Sequence, residues 1–159
     1  MAGYKEQMRT LWQRYRDEVS PDPVDLKEVA AWAIKNRLWA PQPADLNTSF
    51  ARDLADVLRE EVRIDAKGRR YRANIPVKER GKDGVPLFKW ADIDDAPFVH
   101  VERSVQQERR SIASDCYALA MKVDHYNDAH PGQEPIQVPF DFSEDIEELK
   151  IANGLEEAA

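Results

Sequence analysis

Met8, Leu11, Trp12, Tyr15 and Val19 repeat at spacings of three and four and lay one apolar stripe along the first segment of the chain. Ser20-Pro21-Asp22-Pro23 stops that helix, because proline lacks the backbone N–H that a helix interior needs. Asp25 followed by Glu28 has the form of a capping box, and a second helix follows through Val29, Ala30, Trp32, Ala33, Ile34 and Leu38. Its middle is apolar nearly all round, as a buried helix is. After Trp39-Ala40-Pro41-Gln42-Pro43 a third helix carries Leu46, Phe50, Leu54, Val57 and Leu58 on one side, with Asp45 or Asn47 as its cap.

The period then changes from helix to strand. Val62 and Ile64 alternate with Arg63 and Asp65, and beyond Ala66-Lys67-Gly68-Arg69 the residues Tyr71, Ala73, Ile75 and Val77 alternate with polar neighbours. Alternation on both sides of a short glycine-containing loop predicts a β-hairpin. Glu79 to Gly84 reads as a polar loop, and Leu87 to Ile93 as a third, short strand with Phe88 and Trp90 on one face. Beyond Asp95-Ala96-Pro97, with Asp95 as the favoured cap, about thirty residues free of proline and glycine predict one long helix ending before Pro131. Pro131 to Pro139 reads as an extended linker, and Ser143 as the cap of a short acidic helix through Leu149.

These elements predict an α+β, mainly helical chain: three N-terminal helices with a small antiparallel hairpin or three-stranded sheet, then one long helix and an acidic tail. The corresponding divisions are residues 1–93, 94–131 and 132–159. Proline and glycine agree with this division: glycine is absent from 4 to 67 and from 85 to 131.

Charge sharpens the picture. The formal net charge is -7, yet from Arg63 to Lys82 eight basic residues face only Asp65 and Glu79, a local balance of +6. A basic island in an acidic chain localises the attraction for phosphate. Three helices followed by a basic hairpin, over roughly residues 5 to 78, resemble a winged helix-turn-helix domain. That resemblance implies a DNA-binding, transcription-regulating protein, with the third helix in the major groove and the hairpin wing on the backbone. It assigns Asn47, Thr48 and Arg52 to the bases, and Arg63, Lys67, Arg69, Arg70 and Arg72 to phosphates. Asp45, Asp53, Asp56, Glu60 and Glu61 on the same third helix depart from the pattern, since carboxylates repel phosphate. The other reading of the arginines is a solvated hairpin face.

The remaining segments point to association. From Ile112 the apolar positions Cys116, Leu119, Val123 and Tyr126 follow at steps of 4, 3, 4 and 3, which suits a seam for a homodimer or for packing within the chain. The segment from Glu134 holds eight acidic residues against Lys150. It reads either as a solubilising tail or as a strap that folds back on the basic hairpin. The alternative function is accordingly a non-enzymatic protein–protein adaptor using the long helix and the acidic tail.

No catalytic or cofactor motif is present, and neither an enzyme nor a cofactor is expected. Asp92, Asp94 and Asp95 beside Lys89 resemble a metal-dependent nuclease cluster only in composition. His125 and His130 are five apart, on different helical faces, so a metal site with Asp124 and Asp128 is not expected. The single cysteine, Cys116, lies on the apolar seam and permits no internal disulfide. The N-terminal residues have no signal-peptide pattern, and the longest apolar run, Val29 to Ile34, falls far below the ~20 residues of a membrane span. A cytoplasmic protein without membrane contact is expected.

Overall fold

A computed structural model describes residues 3–40 and 46–155. The chain divides into two compact units, Met1–Ser49 and Phe50–Ala159. The hairpin, the long helix and the C-terminal segment therefore share one unit.

In the first unit, α1 (Tyr4–Glu18) pairs with α2 (Leu26–Lys35). Asp25 caps α2 as its sequence predicts, its carboxylate accepting from the Lys27 N–H at 3.0 Å. The helix ends earlier than the apolar pattern suggests. Leu38 N–H turns back to the Ala33 carbonyl and Arg37 N–H to that of Ile34. This closing turn sets Arg37 at φ 57° without a glycine. Tyr15 and Ala33 are the buried residues among those described in this unit. The Tyr15 ring stacks on Trp12 at 6.4 Å and meets Trp32 edge-on at 5.4 Å.

In the second unit, α3 (Leu46–Glu60, begun in the first unit) leads into β1 (Val62–Ile64), β2 (Arg70–Arg72), β3 (Asn74–Arg80) and β4 (Pro86–Asp92). Then come α4 (Phe98–Ala129, 32 residues) and α5 (Ser143–Ala152). Asp45 as a helix cap lies outside the described residues. Asn47 sits inside α3 rather than at its cap.

The strands form two antiparallel pairs, β1 with β2 and β3 with β4. The alternation from Tyr71 to Val77 predicts one strand, but the chain turns a corner at Ala73, which is fully buried. Its N–H donates to the Glu61 carbonyl at 3.1 Å, and its carbonyl accepts from Ile93 N–H at 2.8 Å. One residue thus joins the two pairs at a fully buried position. The expected loop at Glu79 is shorter than the sequence suggests, since β3 runs on to Arg80. Both hairpins close on a glycine in the left-handed region, Gly68 at φ 79° and Gly84 at φ 77°.

β3 carries the core of this unit, with Ile75 and Val77 buried. One edge pairs with β4; α4 lies along the other. Three side chains at i, i+4 and i+7 on α4 attend to that edge. His100 Nε2 lies 3.1 Å from the Ile75 carbonyl, and Ser104 donates to the Pro76 carbonyl at 2.8 Å. Gln107 holds Lys78 at both ends, accepting from its N–H at 2.8 Å and donating to its carbonyl at 3.0 Å. Pro76 is tolerated in the strand because an edge position needs no N–H toward β4. Two expected caps differ. α4 begins after Pro97 with no side-chain cap, so Asp95 does not serve. At α5 the carboxylate of Asp141 accepts from Ser143 N–H at 3.1 Å, and Ser143 is the first helical residue rather than the cap.

Candidate functional site

The basic hairpin is built from its loop outward. Asp65 organises the turn, accepting from Lys67 N–H at 2.9 Å, Arg69 N–H at 3.0 Å and Arg69 Nε at 2.7 Å. The Arg69 backbone N–H contributes most to holding the Asp65 carboxyl below its usual range. Arg69 is therefore committed to its own loop. Arg63 is committed further. One guanidinium nitrogen donates to Asp92 at 2.8 Å and to Asp94 at 3.0 Å, the other donates to the second Asp92 oxygen, and Glu61 lies 3.5 Å away. Tyr71 adds its hydroxyl to Asp94 at 2.9 Å. Arg63 and Tyr71 alternate away from the outer face, so they tie β1 and β2 to the end of β4.

This cluster bears on the phosphate role expected of Arg63. The donors of Arg63, expected to reach phosphate, are engaged by the carboxylates of Asp92 and Asp94. Asp92 and Asp94 are drawn to a cation supplied by the chain, and among the described residues no three His, Cys, Asp or Glu side chains come together as a metal site. The Arg63 hydrogen bonds, and then the Asp94 backbone N–H, hold Asp92 down to about 2. A carboxyl depressed in the folded state adds stability above its unfolded value near 4 and loses it as pH falls toward about 2. Circular dichroism from pH 5 to 2 should show the second unit weakening in that window, and Arg63→Leu should flatten the slope. An unchanged slope in the variant would remove Asp92 from the account.

What remains of the predicted wing is Lys67, Arg70 and Arg72, all exposed and in no ion pair among the described residues. Arg70 and Arg72 share a hairpin face with their cross-strand partners Ile64 and Val62. Of the predicted base-reading residues, Asn47 and Thr48 fall in the first unit and Arg52 in the second, all exposed. The acidic helix lies beside the hairpin tip. Gly68, Arg70, Ile146, Leu149, Lys150, Asn153 and Leu155 line one shared pocket of about 320 Å³. The contact is made by the apolar side of α5; its carboxylates form no ion pair with the hairpin among the described residues.

A larger groove of about 1240 Å³ opens over the outer face of β3 and β4, between the C-terminal end of α3 and α4. Arg59 lies over Trp90 at 5.3 Å there, and also pairs with Asp56 at 2.9 Å. Its walls mix Arg72, Lys78 and Arg110 with Glu60 and Glu108, so no single sign of charge prevails.

α4 carries a long row of exposed apolar side chains. Val105, Ile112, Leu119 and Tyr126 recur every seven residues and are 57%, 54%, 38% and 41% exposed. Cys116 and Val123, the other two predicted seam residues, are half-buried. The half-buried positions Cys116, Ala120, Val123 and Asn127 mark the side to which the returning linker is tied. Asn127 grips Ile136 as Gln107 grips Lys78, with both hydrogen bonds at 2.9 Å. Tyr126 stacks on His130 at 4.2 Å, and His130 Nδ1 lies 2.9 Å from the Tyr126 carbonyl. His130 thus closes the helix end.

No family model, curated protein or solved structure matches the chain. No described helix is long and apolar enough to cross a membrane.

Sequence reasoning missed His100, Ser104 and Gln107. The signal was present: polar residues at helical spacing in the first half of a long helix. Polar side chains on an inward face are what an unpaired strand edge requires.

Proposed function

We propose that this protein is a non-catalytic adaptor that works by association through α4. The observation that carries the reading is the heptad-spaced row Val105, Ile112, Leu119 and Tyr126, between 38% and 57% exposed on a helix whose other contacts are satisfied by β3 and the linker. Apolar side chains in a row of this length gain free energy when a partner removes them from water. Photo-crosslinking in cells tests it. A benzoylphenylalanine at Ile112 or at Leu119 should give adducts of one defined mass, and the same group at Ser114, nearly half a turn away, should give none. Adducts at all three positions alike, or at none, would overturn the reading.

A second reading, nucleic-acid binding of winged-helix type, is favoured by Lys67, Arg70 and Arg72, the hairpin cations with no carboxylate partner among the described residues. Fluorescence anisotropy with a mixed-sequence DNA duplex at low salt addresses it. Removing all three cations with Ala should cut affinity roughly 10-fold or more and lower the salt slope by about three units. Unaltered binding by the triple variant would exclude the hairpin as a DNA contact.

A further inference from the structure

We propose that the outer face of β3 and β4 binds single-stranded nucleic acid, with bases stacked on Phe88 and Trp90 and phosphates held by the basic side chains beside them. This site rests on the nucleic-acid reading of the hairpin cations and stands apart from the adaptor reading. It adds the strand state of the ligand and the surface that meets its bases.

The strand register sorts the residues. Directly opposed residues of an antiparallel pair share a face, and faces alternate along each strand. Lys78 lies opposite Phe88, Pro76 opposite Trp90 and Arg80 opposite Pro86, so these residues share the outer face. Ile75, Val77 and Glu79 take the other face with Ala91, Lys89 and Leu87. Burial agrees: Ile75 and Val77 are buried, whereas Lys78 and Arg80 are exposed and Phe88 is 55% exposed. The two faces also divide the charge. Glu79 is turned from the outer face and pairs with Lys89 at 3.0 Å and Arg103 at 3.3 Å. Asp92, at the far end of the outer face, is held by Arg63. Lys78 and Arg80 thus stand beside two aromatic rings with no free carboxylate between them.

The groove over this face extends the same chemistry. Arg72 and Arg110 line it, and neither they nor Lys78 and Arg80 enter an ion pair among the described residues. Its carboxylates come from the helices at its sides: Asp56 pairs with Arg59 at 2.9 Å, and Glu60 and Glu108 belong to α3 and α4. Arg59 in turn lies over Trp90 at 5.3 Å, and a guanidinium plane is itself a stacking surface for a base. Phe88 and Trp90 are two residues apart on one strand, about 7 Å, so bases of one extended strand can reach both. Ring faces beside unpaired cations complement a chain that carries flat bases on a phosphate backbone. A duplex offers the phosphates but not the base faces, which are stacked on one another. Arg70 and Arg72 alternate on β2, so the cations run from the hairpin into the groove.

The test is fluorescence anisotropy of the full chain at low salt with a short labelled oligonucleotide of mixed sequence, as single-stranded DNA, single-stranded RNA and duplex DNA. A single strand should bind about tenfold more tightly than the duplex. Preference between DNA and RNA identifies the sugar, and binding of either counts for the proposal. Phe88→Ala should weaken single-strand binding about tenfold, and Phe88→Trp, which keeps a ring face, should not. Phe88→Leu keeps apolar bulk for the fold but loses the ring, and should weaken binding as well. Lys78→Gln with Arg80→Gln should lower the single-strand salt slope by about 1.4 units, at about 0.7 for each phosphate contact. Failure of both single strands to bind overturns the proposal, as does binding indifferent to Phe88→Ala and Phe88→Leu. Duplex binding lost when Lys67, Arg70 and Arg72 become Ala, without any single-strand preference, would sink the proposal and leave the winged-helix reading standing. No binding to any probe would sink both. Benzoylphenylalanine in place of Phe88 that gives nuclease-resistant protein adducts in cells would assign the groove to a protein and overturn the proposal too.

Discussion

Tyr15→Ala should unfold the first unit while leaving the second intact. Tyr15 is 6% exposed and forms the hub between Trp12 and Trp32. Among the described residues of the unit, Ala33 is its one buried companion. Truncating a buried aromatic to alanine costs about 3–5 kcal/mol, and a unit of this size has little stability to spare. Hydrogen exchange read by mass spectrometry should show α1 and α2 amides losing protection, with β3 and the first half of α4 unaffected. Tyr15→Phe keeps the ring contacts and should change little. Equal loss of protection in β3 would mean that the two units unfold as one.

The second large effect should come from Ser104→Val combined with Gln107→Leu. Both side chains serve the β3 edge, and Ser104 is 5% exposed. Three hydrogen bonds disappear, and the Pro76 carbonyl is left facing an aliphatic group. At roughly 1 kcal/mol for each bond, with 1–3 kcal/mol for an unpaired buried carbonyl, the loss should reach about 3 kcal/mol in urea unfolding of the second unit. The apolar replacements add hydrophobic area, so a purely hydrophobic account of α4 packing predicts the opposite sign. An unchanged or raised midpoint would support that account. A freed strand edge also templates pairing between chains, so the double variant should aggregate at concentrations where the parent stays clear.

The comparison of pattern with structure is instructive at Arg63 and Ala73. Both follow the alternation of the hairpin, and both take roles that alternation does not encode. Arg63 has the residue type and the local charge of a phosphate ligand; its actual partners, Asp92 and Asp94, come from a strand about thirty residues later and the turn after it. Ala73 looks like one more inward residue of a long strand, and becomes the corner where two strand pairs meet. The candidate site was legible to the same degree. Lys67, Arg70 and Arg72 emerged as exposed cations, Ile112, Leu119 and Tyr126 as an exposed apolar row, whereas Arg63 and Arg69 were withdrawn by carboxylates.

Local rules determined the elements themselves. Proline and glycine spacing, helical and strand periods and the Asp25 cap predict five helices and the hairpin turn at Gly68, because each depends on residues within a few positions of one another. The long helix from Phe98 to Ala129 follows from a stretch without a breaker. The tertiary structure decided which polar residues are used. Whether Gln107 faces water or Lys78, whether Asp92 is an acid in a cluster or the partner of Arg63, and which side of α4 stays exposed all depend on contacts between distant segments. Those contacts form only when hydrogen-bonding groups and charges that would be satisfied by water must be satisfied by the chain instead.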